Sequence, residues 1–477
     1  MSGLRKNIIY QFLYELLIIF IPLFTIPYVS RILGAENIGI FSYTYAIANY
    51  FVLFANLGIK NYGSRTIAMV RNNKEEMNQR FSEILSIHVA CSIVIVFMYF
   101  GILLFLMDNN RDIFFIQSIY ILAAIFDINW FFFGIEKFKL TVGRNTLVKI
   151  LSVVLVFVFV KTREDLWIYA LILALSTFVG QSIVWFALNK YASWSKPSWF
   201  DIKQHIRPLF ILFLPILALS VYKYMDKIML GFICSNVQVG FYENAEKIIN
   251  VPMSLIMAFG VVLMPRIANM VAGRDKGEVV KLINISMEAI MLLAIAISFG
   301  LAGISFVLAP VFFGYEFEEC GILIMGLAVT VPFMAFANVI RTQYLIPYKK
   351  DRIFVVSLFL GAAINLIANI ILIPYMAARG AVVGTIVAEI VVCIYQSYSV
   401  RKSLSIKNYM LKFVPFVVVG IVMFIVVFQI GEIMDADIFT LIFQLVTGIF
   451  IYGVGVLLLV LKRRTELMVL LKKNIVK

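Results

Sequence analysis

The sequence contains runs of about twenty apolar residues, and these runs limit what the chain can fold into. A helix of about twenty apolar residues crosses the hydrocarbon core of a bilayer. Such a helix also satisfies its own backbone hydrogen bonds there. The runs therefore predict membrane-spanning helices near residues 8–29, 38–59, 84–107, 113–134, 147–160, 166–188, 209–232, 240–264, 283–309, 321–340, 353–374, 380–400, 411–430 and 438–461.

The composition supports this interpretation. Hydrophobic residues make up 62% of the 477 residues and charged residues 14%, with a mean hydropathy of +0.97. A soluble protein with so few charged residues could not present a polar surface. We therefore expect an all-α polytopic membrane protein with about fourteen transmembrane helices, as the apolar runs predict.

The distribution of Lys and Arg predicts the orientation, because cytoplasmic loops accumulate these residues. Of the 41 Lys and Arg residues, 33 fall on one side of the predicted membrane. Since a missed or additional helix would invert every later loop, the asymmetry predicts an even number of spans and cytoplasmic termini. The net charge of +14 is spread over the cytoplasmic segments. We attribute this charge to the orientation signal of the loops and to contacts with anionic lipid headgroups, not to a nucleic-acid partner. Five basic residues fall on the other side: Arg31, Arg111, Lys161, Arg163 and Arg379.

The sequence lacks the motifs of nucleotide and metal chemistry. It has no GxxxxGK[ST] phosphate-binding loop, and its four Cys and two His show no metal-ligand spacing. The predicted outer connections, such as 108–112 and 161–165, are short. We expect no cofactor and no metal, and a function carried out within the membrane or at its surfaces.

An internal repeat with an offset of 201 residues divides the predicted helices. Both copies start inside and run outward, as expected for parallel repeats related by an axis along the membrane normal. The repeat predicts two pseudo-symmetric six-helix lobes at 1–207 and 208–407, followed by a C-terminal helix pair and a basic tail at 408–477. The identical pairs are Gly39 with Gly240, Asn49 with Asn250, Arg65 with Arg266, Met69 with Met270 and Val70 with Val271.

The seventh and eighth predicted spans contain charged residues where hydrocarbon is expected. The seventh holds Lys223, Asp226 and Lys227, and the two lysines are four residues apart, on one helical face. A charge at the bilayer centre costs on the order of 2.5–3.5 kcal/mol, so it normally faces protein or water. Two interpretations remain open. These residues pair with Glu243 and Glu246 of the eighth span, or the lysines line a cavity wall and attract an anionic headgroup.

Further charged residues lie in the predicted spans. Lys247 follows near the outer end of the eighth span, and Glu15, Asp127, Glu288 and Glu389 lie in the first, fourth, ninth and twelfth. Each carboxyl group is either a hydrogen-bonded or protonated packing residue, or a site of proton or sodium coupling.

Proline and glycine mark two kinds of helix irregularity. Pro22 and Pro27 interrupt the first span, and Pro215 interrupts the seventh, its counterpart in the repeat. Each removes a backbone hydrogen bond and permits a kink. The prolines are therefore hinge candidates, although membrane helices also tolerate proline without such a role. Gly380 and Gly384, in GAVVG, predict a face for close helix contact.

Several stretches resemble the oligosaccharide flippases, which are O-antigen or capsule repeat-unit transporters. Together they span most of residues 8–400 in the order expected for that family. The matching stretches are RILGAENIGIFSYTYAIANYFVLFANLGIKNYGSRTIA (31–68), DINWFFFGIEKF (127–138), QYLIPYKKDR (343–352), INLIANIILIP (364–374) and RGAVVGTIVAE (379–389).

The resemblance implies a fold and a function. The chain would be a member of the multidrug/oligosaccharidyl-lipid/polysaccharide exporter superfamily in the bacterial inner membrane. It would move an undecaprenyl-diphosphate-linked oligosaccharide from the inner to the outer leaflet through a cationic cavity by alternating access. In such a cavity we expect Lys223 and Lys227 to counter the diphosphate or acidic sugars, and Arg31 and Lys247 to share that role at the exit. The implied partners are this substrate, the bilayer and the polysaccharide polymerase machinery, and we expect a monomer.

Two other functions would also place the chain in a membrane. A drug or small-metabolite exporter of the same superfamily would share the fold. A polytopic glycosyltransferase or polysaccharide polymerase would need catalytic residues on a sizeable outer loop, whereas the predicted loop 30–37 offers only Arg31 and Glu36 as charged residues. We therefore expect a transporter and not an enzyme.

Overall fold

The structure is a computed structural model that describes residues 2–106, 109–273 and 276–462. Side chains are described in these ranges except at residues 2–20, 106, 138–139, 276, 460 and 462. Within the described ranges the chain is helical and contains no strand. This confirms the predicted all-α class.

The chain divides into two compact units, Met1–Gly231 and Phe232–Lys477. The lobe boundaries at 207/208 and 407/408 come from the sequence repeat and stay a prediction. The first unit contains α1 (Ser2–Asn56), α2 (Ile59–Val70), α3 (Lys74–Leu106), α4 (Arg111–Ile125), α5 (Asn129–Gly134), α6 (Phe138–Phe159), α7 (Leu166–Leu188) and all but the end of α8 (Trp199–Ile233). The second contains α9 (Asn236–Ala272), α10 (Lys276–Phe313), α11 (Cys320–Ala328), α12 (Thr330–Ile340), α13 (Asp351–Val400), α14 (Ile406–Ile433) and α15 (Ile438–Lys462).

Twelve helical segments among the described residues are long and apolar enough to cross a membrane. The polytopic prediction is therefore confirmed in its coarse form. Some predicted ends are wrong, because the pattern of apolar residues misses polar side chains inside helices. The fifth predicted span, at 147–160, is part of the 22-residue α6. Arg144 and Lys149 thus lie within the candidate span Leu140–Phe159, and Arg341 lies within Cys320–Leu345.

Two of these helices are far longer than a bilayer is thick. Helices α1 and α13 contain 55 and 50 residues. At about 1.5 Å per residue each would reach beyond 70 Å if straight, against about 30 Å of hydrocarbon. Each departs from helical geometry once: α1 at Gly34 (φ 76°, ψ 173°) and α13 at Ala377 (φ 47°, ψ −128°).

The two halves of α13 fold back on each other at Ala377. Gln396 Nε2 donates to Ser357 Oγ at 2.8 Å, and a Cβ at Gly384 would lie 2.3 Å from Asn369 Oδ1. A Cβ at Gly380 would lie 2.6 Å from the Leu372 carbonyl oxygen. The predicted close-contact face of Gly380 and Gly384 is confirmed, since any side chain there would separate the two halves.

The core of the first unit surrounds the junction of α4 and α5. Trp130 and Phe131 of α5 are buried against Phe81 of α3, with ring centroids 5.6 and 4.9 Å apart. Helix α2 reaches this core through Gly63, where a Cβ would lie 2.5 Å from the Trp130 ring. This packing fixes the short helix α5 and, with it, the break at residues 126–128.

Candidate functional site

The charged segment of α8 is the first candidate site, and its three charged residues differ in burial. Asp226 is 4% exposed and Lys227 is 8% exposed, whereas Lys223 is exposed. Asp226 and Lys227 each have an interaction partner. A buried charge is tolerated only with such compensation. Lys223 is therefore the residue of this segment that is available to a ligand.

Tyrosines flank this segment, because α8 runs antiparallel to the second half of α1. Tyr50 Oη donates to the Ser220 carbonyl at 3.2 Å, and the Tyr50 and Tyr224 rings meet edge to face at 5.9 Å. Lys223 Nζ lies 5.3 Å from the centre of the Tyr224 ring. The segment thus combines an accessible ammonium group with aromatic faces, a composition suited to phosphate and sugar groups.

The other two predicted cavity cations are in different surroundings. Lys247 Nζ forms an ion pair with Glu243 Oε1 at 3.1 Å, four residues earlier on α9. Arg31 is exposed near the Gly34 kink and has an interaction partner, as has Glu246. Lys247 is thus already neutralised within its own helix. The predicted pairing of the α8 charges with Glu243 and Glu246 joins the two units and stays a prediction.

The break between α4 and α5 holds a second polar site, the Asp127 cluster, whose members lie near the break, on α6 and on α7. Asp127 Oδ1 accepts from the Asn129 backbone N–H at 3.0 Å and from Asn129 Nδ2 at 2.7 Å. Asn129 Nδ2 also donates to Gln181 Oε1 at 2.7 Å, and Arg144 Nη2 donates to Asn129 Oδ1 at 3.1 Å. Asp127 therefore caps an interrupted helix, and its predicted role in ion coupling stays a prediction. The members are Asp127, Asn129, Arg144, Asn145 and Gln181.

In the second unit, Glu389 is part of an Arg341 cluster. Glu389 is buried and interacts electrostatically with Arg341. Arg341 Nη2 also donates to Asn338 Oδ1 at 2.6 Å, and its guanidinium lies 5.5 Å from the centre of the Phe354 ring. Arg341 opens a π-helical turn, Arg341–Leu345, which continues α12. Such turns are frequent at functional sites.

The remaining predicted residues are placed as follows. Glu288 is buried and has a partner. The side chain of Glu15 lies outside the described residues. Helices α1 and α8 continue through Pro22, Pro27 and Pro215, and the non-helical residue of α1 is Gly34. The helical backbone is therefore continuous at these three prolines, and their hinge role stays a prediction.

The sequence did not predict one buried polar network, which joins Arg80, Glu83, His205 and Tyr62. Glu83 Oε2 lies 3.0 Å from Arg80 Nη1 and 2.7 Å from His205 Nε2, and His205 Nδ1 lies 2.5 Å from Tyr62 Oη. Glu83 and His205 are both buried. The network ties the start of α8 to α2 and α3. Its partners are up to 143 residues apart, so no spacing in the sequence signals it.

Known proteins are similar to this chain in sequence and in fold. The chain is 24% identical over 401 residues, 83% of its length, to the whole of a Shigella dysenteriae protein named "Putative O-antigen transporter". The lipid II flippase MurJ in an inward closed conformation superposes with a TM-score of 0.75 at 17% identity, over 96% of this chain and 99% of that one. An inward-facing multidrug resistance MATE transporter gives 0.63 at 12% identity, over 83% and 98%. At these identities the two solved structures show a shared fold alone.

The family assignment rests on a wider match. The sequence profile described as polysaccharide biosynthesis protein matches residues 4–271. These residues include nearly all of α1, helices α2 to α8 with the charged segment of α8, the Asp127 cluster and most of α9. The match covers more than half of the 477 residues, and it confirms the resemblance seen in the sequence motifs. The chain therefore belongs to the polysaccharide biosynthesis protein family.

Proposed function

We propose that this membrane transporter is a flippase that moves an undecaprenyl-diphosphate-linked oligosaccharide repeat unit from the inner to the outer leaflet. Its relatives are named as transporters and flippases, not as enzymes. The chain has the apolar helices needed to remain in the bilayer. The repeat unit moved to the outer leaflet would serve the biosynthesis of a surface polysaccharide.

The observation that carries the proposal is the charged segment of α8. A lipid-linked diphosphate sugar has a polar head that hydrocarbon excludes and a tail that stays in lipid. The exposed ammonium group of Lys223, beside the Tyr224 ring, offers charge and an aromatic face within a helix that is long and apolar enough to cross a membrane. A lysine ammonium binds phosphate as a point charge and can follow a moving headgroup.

The two lysines then have separate roles. Lys223 contacts the headgroup, whereas buried Lys227 sets the charge of the segment together with Asp226. Arg31 and Lys247 would act at the exit. Release of Lys247 from Glu243 would be required, because the pair at 3.1 Å neutralises it.

The proposed topology comprises fourteen spans with both termini in the cytoplasm. The kinks at Gly34 and Ala377 support this number, because each divides an apolar helix that is too long for one crossing. The spans would form lobes at 1–207 and 208–407 with a helix pair at 408–477, and transport would proceed by alternating access.

Gating and coupling are assigned to the embedded acidic residues and the hinges to the three prolines. We place Asp226, Glu243 and Glu246 in gating, where ion pairs break and form again. The coupling candidates are Asp127, Glu288, Glu389 and Glu15, and the hinge candidates are Pro22, Pro27 and Pro215. The polysaccharide polymerase machinery is a proposed partner, and the transporter would act as a monomer.

Replacement of Lys223 by Gln tests the role of the α8 segment. We expect the Lys223→Gln variant to lose most surface polysaccharide while its membrane level equals that of wild type. Lys281→Gln, on the cytoplasmic part of α10, is the matched control and should keep full activity. The readouts are surface polysaccharide and the leaflet distribution of lipid-linked oligosaccharide in a deletion strain carrying each variant.

Two results would overturn these proposals. Full transport by Lys223→Gln would remove the headgroup role of Lys223 and leave the flippase function standing. Unchanged surface polysaccharide in the deletion strain, together with altered tolerance to cationic drugs, would replace the flippase by a drug exporter.

A further inference from the structure

Among the described residues, His88 of α3 is a buried polar side chain without a hydrogen-bond partner. The side chain is 0% exposed, and neither ring nitrogen has a hydrogen-bond partner among the described residues. Ser92, one turn further on the same face, is also fully buried, and its hydroxyl has no partner in that part of the chain. A buried polar group normally has a partner, so these two side chains suggest an additional bound species.

The packing of α3 brings His88 to the break between α4 and α5. Phe81 stacks on Trp130 at 5.6 Å, and Tyr99 Oη donates to the Phe114 carbonyl at 2.7 Å. These two contacts fix α3 antiparallel to α4 and α5. His88, between Phe81 and Tyr99, is therefore level with the end of α4, and it interacts electrostatically with Asp127.

Asp127 is the charged group near His88 that can balance a positive charge on its ring, because the other charged groups nearby have other partners. Arg144 of α6 is joined to the break through Asn129, at 3.1 Å. On α3 itself, the nearby carboxylate of Glu83 already interacts with Arg80 and His205. Asp127 is held toward the break by its two hydrogen bonds from Asn129.

We propose that His88 and Asp127 form a buried proton-binding site at the α4–α5 break. A proton from water binds an imidazole nitrogen of His88, the Asp127 carboxylate balances the charge, and the Ser92 hydroxyl accepts a hydrogen bond. Histidine suits this role because its imidazole ring can take up a proton and release it again. The site gives the proposed flippase a coupling ion, and in that respect the inference rests on the proposed function.

Protonation of His88 would act on the break between α4 and α5, where the helix is interrupted. An imidazolium donates from both nitrogens and competes for the carboxylate that Asn129 now holds. A change in these bonds alters the cap of the break without disturbing the apolar core beside it. The proton site would therefore bias the geometry between α4 and α5.

Histidine-selective NMR of the full-length protein in phosphatidylethanolamine/phosphatidylglycerol nanodiscs tests the site. The chain has two histidines, so the spectrum contains two ring signals, with His205 as the internal reference. His88→Gln and His205→Gln assign them. We expect the His88 ring signal to change with pH across the range in which the protein stays folded. Its midpoint should fall by roughly 1 pH unit in Asp127→Asn, because this variant removes the negative charge that stabilises the imidazolium but keeps an oxygen for Asn129.

Asp112→Asn is the matched control. Asp112 is exposed in the first turn of α4, about 20 Å along the helix from Asp127, and its replacement should leave the His88 midpoint unchanged. A His88 signal that is constant over this range, or an equal midpoint in Asp127→Asn, would overturn the proton site. Failure of wild-type protein to move lipid-linked oligosaccharide in proteoliposomes would overturn the flippase instead, whatever the titration shows.

Discussion

The Asp127 cluster and the Arg341 cluster stabilise irregular helices in different ways. In each, an asparagine oxygen accepts from an arginine: Asn129 from Arg144 at 3.1 Å and Asn338 from Arg341 at 2.6 Å. In the first unit the helix stops and restarts at residues 126–128, and the capping carboxylate comes from the break itself. In the second unit the helix continues through a π-turn, and the carboxylate comes from another helix, α13.

The two carboxylates, of Asp127 and Glu389, differ in the part of the structure that they stabilise. Asp127 closes a local turn, and its partner Asn129 is two residues away. Glu389 balances an arginine 48 positions earlier in the chain, and so links α13 to the π-turn. Loss of Glu389 should therefore disturb the fold of its unit more than a change in the local cap of the first unit.

The largest expected effect is that of Glu389→Gln. Glu389 is buried and its charge acts on Arg341. Loss of the partner of a buried polar group costs about 1–3 kcal/mol, and more where that group is charged. We expect a large loss of folded protein, measured by size-exclusion chromatography and thermal unfolding in detergent. Glu319→Gln is the control: it removes an Arg379 pair whose side chains are about half exposed, so its effect should stay below about 1 kcal/mol. Equal effects of the two variants would contradict the Arg341 cluster.

The next effect is steric. A Cβ at Gly63 would lie 2.5 Å from the buried Trp130 ring, which cannot move away. Gly63→Ala should cost about 1–3 kcal/mol. Gly260→Ala in the second unit should cost less, since its Cβ would meet the side-chain ends of Thr342 and Asn338.

Gly101→Ala provides the control for this steric prediction, measured by thermal unfolding. Within the part of the chain that the structure describes, no neighbouring atom lies within 4 Å of a Cβ at Gly101. Alanine there should be neutral or favourable by up to about 1 kcal/mol, from helix propensity. A Gly63→Ala protein as stable as Gly101→Ala would show that α2 is not seated on Trp130.

The smallest effect concerns the cap itself. Asn129→Ala removes side-chain bonds to Asp127, Gln181 and Arg144. At about 1 kcal/mol for each bond lost, partly offset by water, we expect about 1–2 kcal/mol. Asn145→Ala, which removes only contacts to Arg144, should cost less. The order of the two melting temperatures is the measurement, and a reversed order would contradict the cap.

The sequence predicted the helical class and the polytopic character because apolar runs of span length have few other stable structures. It also predicted that Gly380 and Gly384 lie at a close helix contact. It placed Arg144 and Arg341 in loops, since positive charge in a sequence is the usual signal of a cytoplasmic connection. Both lie inside candidate spans, each bonded to an asparagine.

The site was only partly predictable. Lys223, Asp226 and Lys227 are visible as charges in an apolar run, but their difference in burial depends on contacts with α1 and other partners. The network of Glu83, His205 and Tyr62 joins three helices through residues distant in sequence. A single sequence contains no signal for such pairings.

Reconstitution tests the central claim most directly. Purified protein in liposomes is given a fluorescent undecaprenyl-diphosphate oligosaccharide in both leaflets, and an impermeant quencher is added outside. The flippase account predicts that nearly all of the fluorescence is quenched with wild-type protein, and that only the outer half is quenched with Lys223→Gln or with no protein. Quenching limited to the outer half with folded wild-type protein would contradict it.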